Sequence, residues 1–214
     1  MIEQIENYSD WIKARKNGIG GSDSGSVLGV NKYRTNVQLW EEKTGRKEPP
    51  DLSDNKAVQF GKFAEPLLRE LFKQDYPEYI VNYHEFWIYR NIQYNWLFAT
   101  LDGELTAPDG SRGILEIKTT TIQNKMQWEQ WDGGVPDSYY VQILHQLAAT
   151  GWDFAILKAY IRYHKDGEVR ISIRHYRIER SEEQNSIDYL IAAEKKFWKQ
   201  VQNDEKPDLI LPEI

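Results

Sequence analysis

Ala99-Thr100-Leu101-Asp102-Gly103 and Gly113-Ile114-Leu115-Glu116-Ile117-Lys118 flank Ala107-Pro108-Asp109-Gly110. The intervening stretch is a strong turn signal. In the second segment apolar residues alternate with Glu116 and Lys118, the period-two pattern of a strand with one buried face. That period puts both charged side chains on one face and Leu115 and Ile117 on the other. Asp102 and Glu116 are equally far from Asp109, so a hairpin folded there sets them opposite each other. An Asp, a Glu and a Lys then converge. Two hard oxygen ligands and an ammonium are what metal-dependent phosphodiester hydrolysis requires. A solvated sheet face also carries alternating charges, so the rest of the chain has to decide between the two.

A chain of 214 residues is long enough for a full core and is expected to form one domain, 1–214. It contains no cysteine, which excludes disulfides, thiolate zinc sites, iron–sulfur clusters and a cysteine nucleophile, and suits a reducing cytoplasm. Met1-Ile2-Glu3-Gln4-Ile5-Glu6 lacks the basic-then-apolar pattern of a signal peptide, and no apolar run approaches membrane-spanning length. A soluble, cytoplasmic protein without a membrane partner is expected. The net charge of −6 runs against phosphate binding. Yet Lys158, Arg162, Lys165, Arg170, Arg174, Arg177 and Arg180 cluster against Asp166, Glu168 and Glu179, a candidate groove wall for DNA. Eight Trp and thirteen Tyr offer flat surface for base stacking or for a core.

Along the chain, Ser9-Asp10-Trp11-Ile12 opens a short helix to about Lys16. Gly18-Ile19-Gly20-Gly21-Ser22-Asp23-Ser24 leads into a second helix, with Ser22 or Asp23 as the cap. A glycine-rich helix entry is also a natural anion seat. A helix over Val37–Thr44 stops at Gly45, and a long one runs from about Lys56 to Tyr76. Its apolar residues Phe60, Phe63, Ala64, Leu67, Leu68, Leu71 and Phe72 recur at three- and four-residue steps. Glu65 falls on the edge of that stripe, where a carboxylate needs a partner. Strands are expected near Ile80–Tyr89, Trp96–Leu101 and Gly113–Thr119, and a broken aromatic segment over Asn124–Pro136. A helix over Ser138–Ala149 carries Gln142 and Gln146 as an i, i+4 pair and ends at Gly151. Phe154–Tyr163 and Val169–Glu179 form a hairpin about Lys165-Asp166-Gly167. A final helix runs from Ser181 to about Asn203 with a Ser181–Gln184 capping start. The order implies an α/β or α+β fold with a central mixed sheet.

The motifs, taken together, resemble the YqaJ-type viral recombinases, the phage lambda exonuclease group of PD-(D/E)XK nucleases. The resemblance covers Trp11 to about Tyr163. It includes the Gly-Gly-Ser-Asp segment, Phe60-Gly61-Lys62-Phe63-Ala64-Glu65-Pro66, Leu101-Asp102-Gly103, Leu115-Glu116-Ile117-Lys118 and Tyr139-Tyr140-Val141-Gln142-Ile143-Leu144-His145-Gln146-Leu147. It implies a restriction-endonuclease-like core in which Asp102, Glu116 and the Ile117 main-chain carbonyl hold Mg²⁺, or Mn²⁺ in its place. Glu65 would complete the metal site through water, Lys118 would serve the attacking water, and Gln142 would line the site. Ser22 and Arg15 would meet the 5′-terminal phosphate. Leu101 stands where many members have proline, which leaves the aspartate ligand intact. His145 has no role in the family pattern and is expected to be structural.

The implied activity is 5′-to-3′ digestion of linear double-stranded DNA from its ends. The 3′ overhangs would feed a single-strand annealing protein in phage recombination in a bacterial host. A homotrimeric ring around the DNA is implied as well. An endonuclease of the same fold, of restriction or junction-resolving type, is the alternative enzyme reading. A non-catalytic DNA-binding recombination factor is the alternative from another class.

Overall fold

A computed structural model describes residues 1–211. Its centre is a five-stranded sheet in the order β2-β5-β6-β7-β8, comprising β2 (Ile80–Asn82), β5 (Gly103–Thr106), β6 (Arg112–Ile122), β7 (Phe154–Lys165) and β8 (Glu168–Glu179). Only the β6–β7 pairing is parallel, which makes the sheet mixed, as expected. A second sheet in the order β1-β3-β4 joins β1 (Ile2–Gln4), β3 (Trp87–Arg90) and β4 (Phe98–Ala99). β6 and β7 are buried on both faces and read as near-continuous apolar runs in Ile114–Ile117 and Phe154–Leu157.

Helices cover both faces. On one, α4 (Lys56–Asp75) packs Ala64, Leu68 and Phe72 against Leu115, Ile117, Phe154 and Ile156. On the other, α6 (Asp137–Thr150) and α7 (Gln184–Gln202) bring Leu144, Leu147, Ile187 and Leu190 against Ile114, Ala155, Leu157 and Ile161. The preceding segment holds a short helix α5 (Lys125–Glu129) within the expected broken aromatic stretch. Gly151 closes α6 in the left-handed region, φ 72°, where a Cβ would be strained. α1 (Tyr8–Lys16), α2 (Gly21–Val27) and α3 (Asn36–Lys43) complete the N-terminal part.

Four local expectations change. Ile80–Tyr89 is not one strand: Phe86 adopts φ 61°, and the chain passes from the large sheet to the small one. Trp96–Leu101 keeps only Phe98–Ala99 as strand, because Leu97 pairs with the Ile19 loop. On α4, Phe63, Leu67 and Leu71 are exposed, so the buried stripe is narrower than the sequence implies. The last helix begins at Gln184, and Ser181 does not cap it: Glu182 and Glu183 N–H groups turn back to Glu179 and Arg180 carbonyls. The β7–β8 hairpin follows the sequence closely, with Asp166 and Gly167 both at positive φ, as a two-residue turn of this hand demands.

Candidate active site

β5 and β6 pair with Gly103 opposite Leu115, so Asp102 stands one residue before β5, level with Glu116. β5 ends there, which leaves the edge of β6 beyond Leu115 without a strand partner on that side. The Asp102 carboxylate takes the vacant place, its Oδ2 accepting the Ile117 N–H at 2.8 Å. A strand residue's N–H and C=O point to the same edge, so the Ile117 carbonyl faces this gap too.

Glu116, 2% exposed, points to the α6 side of the sheet. Its Oε1 accepts Gln142 Nε2 at 2.6 Å and lies 2.7 Å from Lys118 Nζ, while Oε2 accepts Gln146 Nε2 at 2.6 Å. From the other helix layer, Arg69 Nη2 donates to Glu65 at 2.6 Å and Arg69 Nε to the Asp102 carbonyl at 2.5 Å. The structure therefore assembles Asp102, Glu116, Lys118, Glu65 and Gln142 in one place. Gln146 and Arg69 belong to the same cluster. The i, i+4 spacing with Gln142 pointed to the first of these, and i, i+4 from Glu65 could have pointed to the second.

The electrostatics are those of crowded like charge. Burial pushes the Asp102 carboxyl well above its usual range, and the charges of Glu116 and Glu65 push the same way against Lys118. Glu65 is raised by burial, opposed by Arg69 and reinforced by Glu116. Burial would depress Lys118, but Glu116 and Asp102 outweigh it and hold the ammonium protonated above its ordinary value. Among the described residues no three Asp, Glu or His side chains form a metal cage by themselves. A divalent cation fits this donor set nonetheless. Asp102 uses one acceptor position and Glu116 three, out of about four on each carboxylate, and the Ile117 carbonyl and water can add further hard oxygens.

The N-terminal residues form a neighbouring group. Gly20, rather than Ser22 or Asp23, is the N-cap of α2, and Asp23 in the first turn accepts the Gly20 N–H at 3.1 Å. A helix entry whose N–H already has a carboxylate partner is less open to anions than the glycine run implied. The glycines serve close approach instead: a Cβ on Gly18 would lie 2.2 Å from the Trp96 carbonyl, and one on Gly21 3.2 Å from Gln142 Cγ. Asp23 is gripped by Arg34 at 2.6 Å and Lys43 at 2.8 Å. Burial would raise its pKa, but the two cations and the Gly20 N–H carry it far below the usual range. Arg34, unmarked in the sequence, also reaches Glu42, the Ser26 hydroxyl and the Ser22 carbonyl. Ser22 is exposed on the first turn of α2. Arg15 stacks over Trp11 at 4.3 Å, and among the described residues no carboxylate pairs with it. Burial lowers its pKa, with Asp23 opposing. Of the two arginines here, Arg34 is saturated and Arg15 retains its fork.

The basic stretch from 156 to 180 is largely consumed within the fold. Lys158 is fully buried against Asp75, Arg174 donates to the Trp131 carbonyl, Arg177 to Glu179 and Tyr79, and Arg180 to the Leu147 carbonyl. His145 is structural, as expected: its ring bridges Glu194 at 2.6 Å and the Phe98 carbonyl at 2.8 Å in the core.

With this geometry in view, the likenesses to known proteins converge. Residues 10–153 match the family model of the YqaJ-like viral recombinase domain. The chain is 34% identical over 189 residues to an uncharacterized protein YqaJ of Bacillus subtilis, covering 88% of this chain and 54% of that protein. It thus spans about half the length of the curated relative it matches. Its fold is similar to that of an alkaline exonuclease, LHK-Exo, from Laribacter hongkongensis, with TM-score 0.70, 20% identity and coverage of 92% and 94% of the two chains. It is also similar to a phage related exonuclease from Haemophilus somnus 129PT, with TM-score 0.53, 14% identity and coverage of 87% and 96%. The carboxylate–lysine cluster at the open edge of β6 lies within the matched segment, and the chain belongs to the YqaJ-like viral recombinase domain family.

Proposed function

We propose that this chain is a Mg²⁺-dependent 5′-to-3′ exonuclease, able to use Mn²⁺, that degrades the 5′-ended strand of linear double-stranded DNA. The observation that carries the reading is the Asp102–Glu116–Lys118 cluster, with the Asp102 carboxyl pKa raised on one side and a retained ammonium on the other. The fold shared with two proteins described as exonucleases supports it.

Each residue has a task in this reading. Asp102, Glu116 and the Ile117 carbonyl would hold the cation, with Glu65 through water, and the bound cation would supply charge neutralisation at the scissile phosphate and a more acidic water. Gln142 and Gln146 fix the Glu116 carboxylate by two hydrogen bonds, so that its remaining lone pair keeps one direction. Lys118, held at 2.7 Å by Glu116, orients the attacking water and offsets charge developing on the phosphate. Arg69 ties Glu65 to the Asp102 backbone and so fixes α4 against the sheet edge at the site. Arg15, with its unpaired fork, and the exposed Ser22 hydroxyl would receive the 5′-terminal phosphate.

The product, a 3′ overhang, would pass to a single-strand annealing protein during phage recombination in the bacterial cytoplasm. No helix among the described residues is long and apolar enough to cross a membrane. A homotrimeric ring threaded by DNA would give processivity to a chain whose net charge of −6 provides little electrostatic grip.

The test is a time course on 5′-phosphorylated, 5′-hydroxyl and closed circular duplexes. Faster digestion of the 5′-phosphorylated end and an intact circle are expected. Arg15→Ala with Ser22→Ala should erase the end preference before it erases cleavage. Cutting of the circle would favour the endonuclease reading, and equal rates on both ends would remove the role of Arg15 and Ser22.

A further inference from the structure

Tyr83 stands at the rim of the Asp102 cluster with 43% of its surface exposed. The backbone puts it there. β2 pairs with β5 as far as Asn82 opposite Glu104, so the next residue, Tyr83, comes level with Gly103, beside Asp102. Val81, two residues earlier, packs into the α4 layer, and Tyr83 takes the same face of the sheet. There it meets Arg69, whose guanidinium carbon lies 3.6 Å from the ring centroid. A cation that close sits on the face of the ring. The exposed surface is therefore the opposite face and the edge.

The ring is held rather than loose. Arg69 beneath it is fixed by Glu65 and by the Asp102 carbonyl. Aromatic contacts anchor the rest of the loop: His84 stacks on Trp87 at 3.6 Å, and Phe86 packs on Tyr8 and Trp11. Burial pushes the Tyr83 phenol up, and the charges of Glu65, Glu85 and Asp102 add to this against Arg69. The ring is therefore neutral at physiological pH. The tyrosine on the other side of the cluster is used differently. Tyr139 lies 5.4 Å from Lys118 Nζ and packs on Trp131, within the α6 layer.

A neutral ring face offers a phosphate nothing, and the arginine beneath it is turned to Glu65 and Asp102. What such a face takes is another flat, uncharged ring. We infer that Tyr83 is a nucleobase subsite, its open face stacking on a base from one of the two nucleotides that flank the scissile phosphate. Reach sets that choice. Tyr83 is one register position from Asp102, and paired strands lie ~4.8 Å apart. A base on the ring is thus within one nucleotide of a phosphate held by a cation at Asp102. That placement rests on the nuclease reading above. A base stacked there has left its duplex, so the subsite holds the strand end open where it is cut. Because every base has a π face and Arg69 and the loop fix the ring beforehand, the contact costs little order and tolerates any sequence.

The experiment couples a change in the protein to a change in the DNA. The full chain and its Tyr83→Ala variant are compared on 5′-phosphorylated linear duplexes, intact or with one stable abasic analogue. The analogue stands at the first, second or sixth nucleotide of the 5′-ended strand. An abasic position also eases unpairing, so the quantity read is the coupling: the abasic effect in the native chain divided by that in Tyr83→Ala. It is measured as the half-saturating DNA concentration in single-turnover cleavage with Mg²⁺, and as equilibrium affinity in a Lys118→Ala background. Stacking predicts a coupling of roughly 10- to 100-fold at the first or second nucleotide and none at the sixth. Tyr83→Phe should restore the coupling, whereas Tyr83→Leu, which covers Arg69 without a π face, should not. Thermal unfolding checks the variants, and Tyr83→Leu replaces Tyr83→Ala if that one unfolds. A coupling below about twofold at both end positions, the limit of additivity, would overturn the inference, as would a coupling at the sixth nucleotide equal to that at the end. A Tyr83 that only braces Arg69, or that touches only the sugar, gives the first of these results. Coupling in binding without cleavage by the native chain would remove the nuclease reading and keep the base subsite. Cleavage without coupling would remove the subsite alone.

Discussion

Asp23 sits among Arg34, Lys43 and the Gly20 N–H, whereas Asp102 sits with Glu116 and Glu65 and a single lysine. Burial raises the proton affinity of both carboxyls. The neighbours then decide the sign: Asp23 ends far below the usual range and Asp102 well above it. The first group is complete, each charge answered by a hydrogen-bonded partner, and it holds α2 to α3 and the loop before it. The second is short of positive charge. A fold that gathers three carboxylates at a sheet edge with only the Lys118 ammonium and the Arg69 guanidinium, the latter on Glu65, is destabilised there, and a cation would relieve it.

The largest effect should come from Lys118→Ala, which removes the ammonium paired with Glu116. Turnover should fall by at least about 10³-fold while duplex affinity changes little, since the ammonium serves the transition state more than the ground state. Single-turnover cleavage and equilibrium DNA binding, measured side by side, check this. Near-native cleavage would put Lys118 outside the chemistry.

Asp23→Ala breaks the other group. Arg34 keeps Glu42, but Lys43 loses its carboxylate, and a loss of about 3–5 kcal/mol, roughly 10 °C in Tm, is expected. The pH sign follows from the lowered pKa. The Asp23 contribution is present above the ordinary aspartate value and is lost only as pH falls through its depressed one. The variant's deficit should therefore persist from neutral pH down to mild acid. Thermal melts across that range test it.

The smallest effect is of opposite sign. Asp102→Asn removes like-charge repulsion yet leaves an oxygen to accept the Ile117 N–H, so without divalent cation it should raise Tm by ~2–4 °C, about 1 kcal/mol. Because the folded pKa of Asp102 is raised, the native state takes up its proton more readily than the unfolded chain. The wild-type deficit thus shrinks as pH falls through that raised value, and the gain from Asp102→Asn should fade toward mild acid. A destabilised variant at neutral pH would mean that Asp102 is held like Asp23.

The sequence carried the strand, turn and register that put Asp102 opposite Glu116, because alternation and the Pro-Asp-Gly turn are local signals. It carried Glu65 as the edge position of an amphipathic helix, and Gln142 as one of an i, i+4 polar pair that the family resemblance set beside the site. What it could not carry were pairings fixed only by tertiary approach. Arg34 lies eleven residues from Asp23 and reads as an ordinary loop arginine, yet it organises the N-terminal group. Arg69 looks like a solvated helix residue, and its bond to the Asp102 carbonyl spans 33 positions. The basic run near the hairpin misled in the other direction. Sequence counts charges, and only the fold shows that Lys158, Arg174 and Arg180 are spent on Asp75 and two backbone carbonyls.

The contrast between the two aspartates rests on the claim that the Asp102 cluster is a cation-dependent nuclease centre. The most direct measurement is digestion of a 5′-phosphorylated linear duplex by the native chain and by Asp102→Asn, each with Mg²⁺ and with chelator. Cleavage by the native chain in Mg²⁺ alone, and by the variant in neither condition, is the expected result. Native cleavage that survives chelator, or a variant as active as the native chain in Mg²⁺, would contradict it.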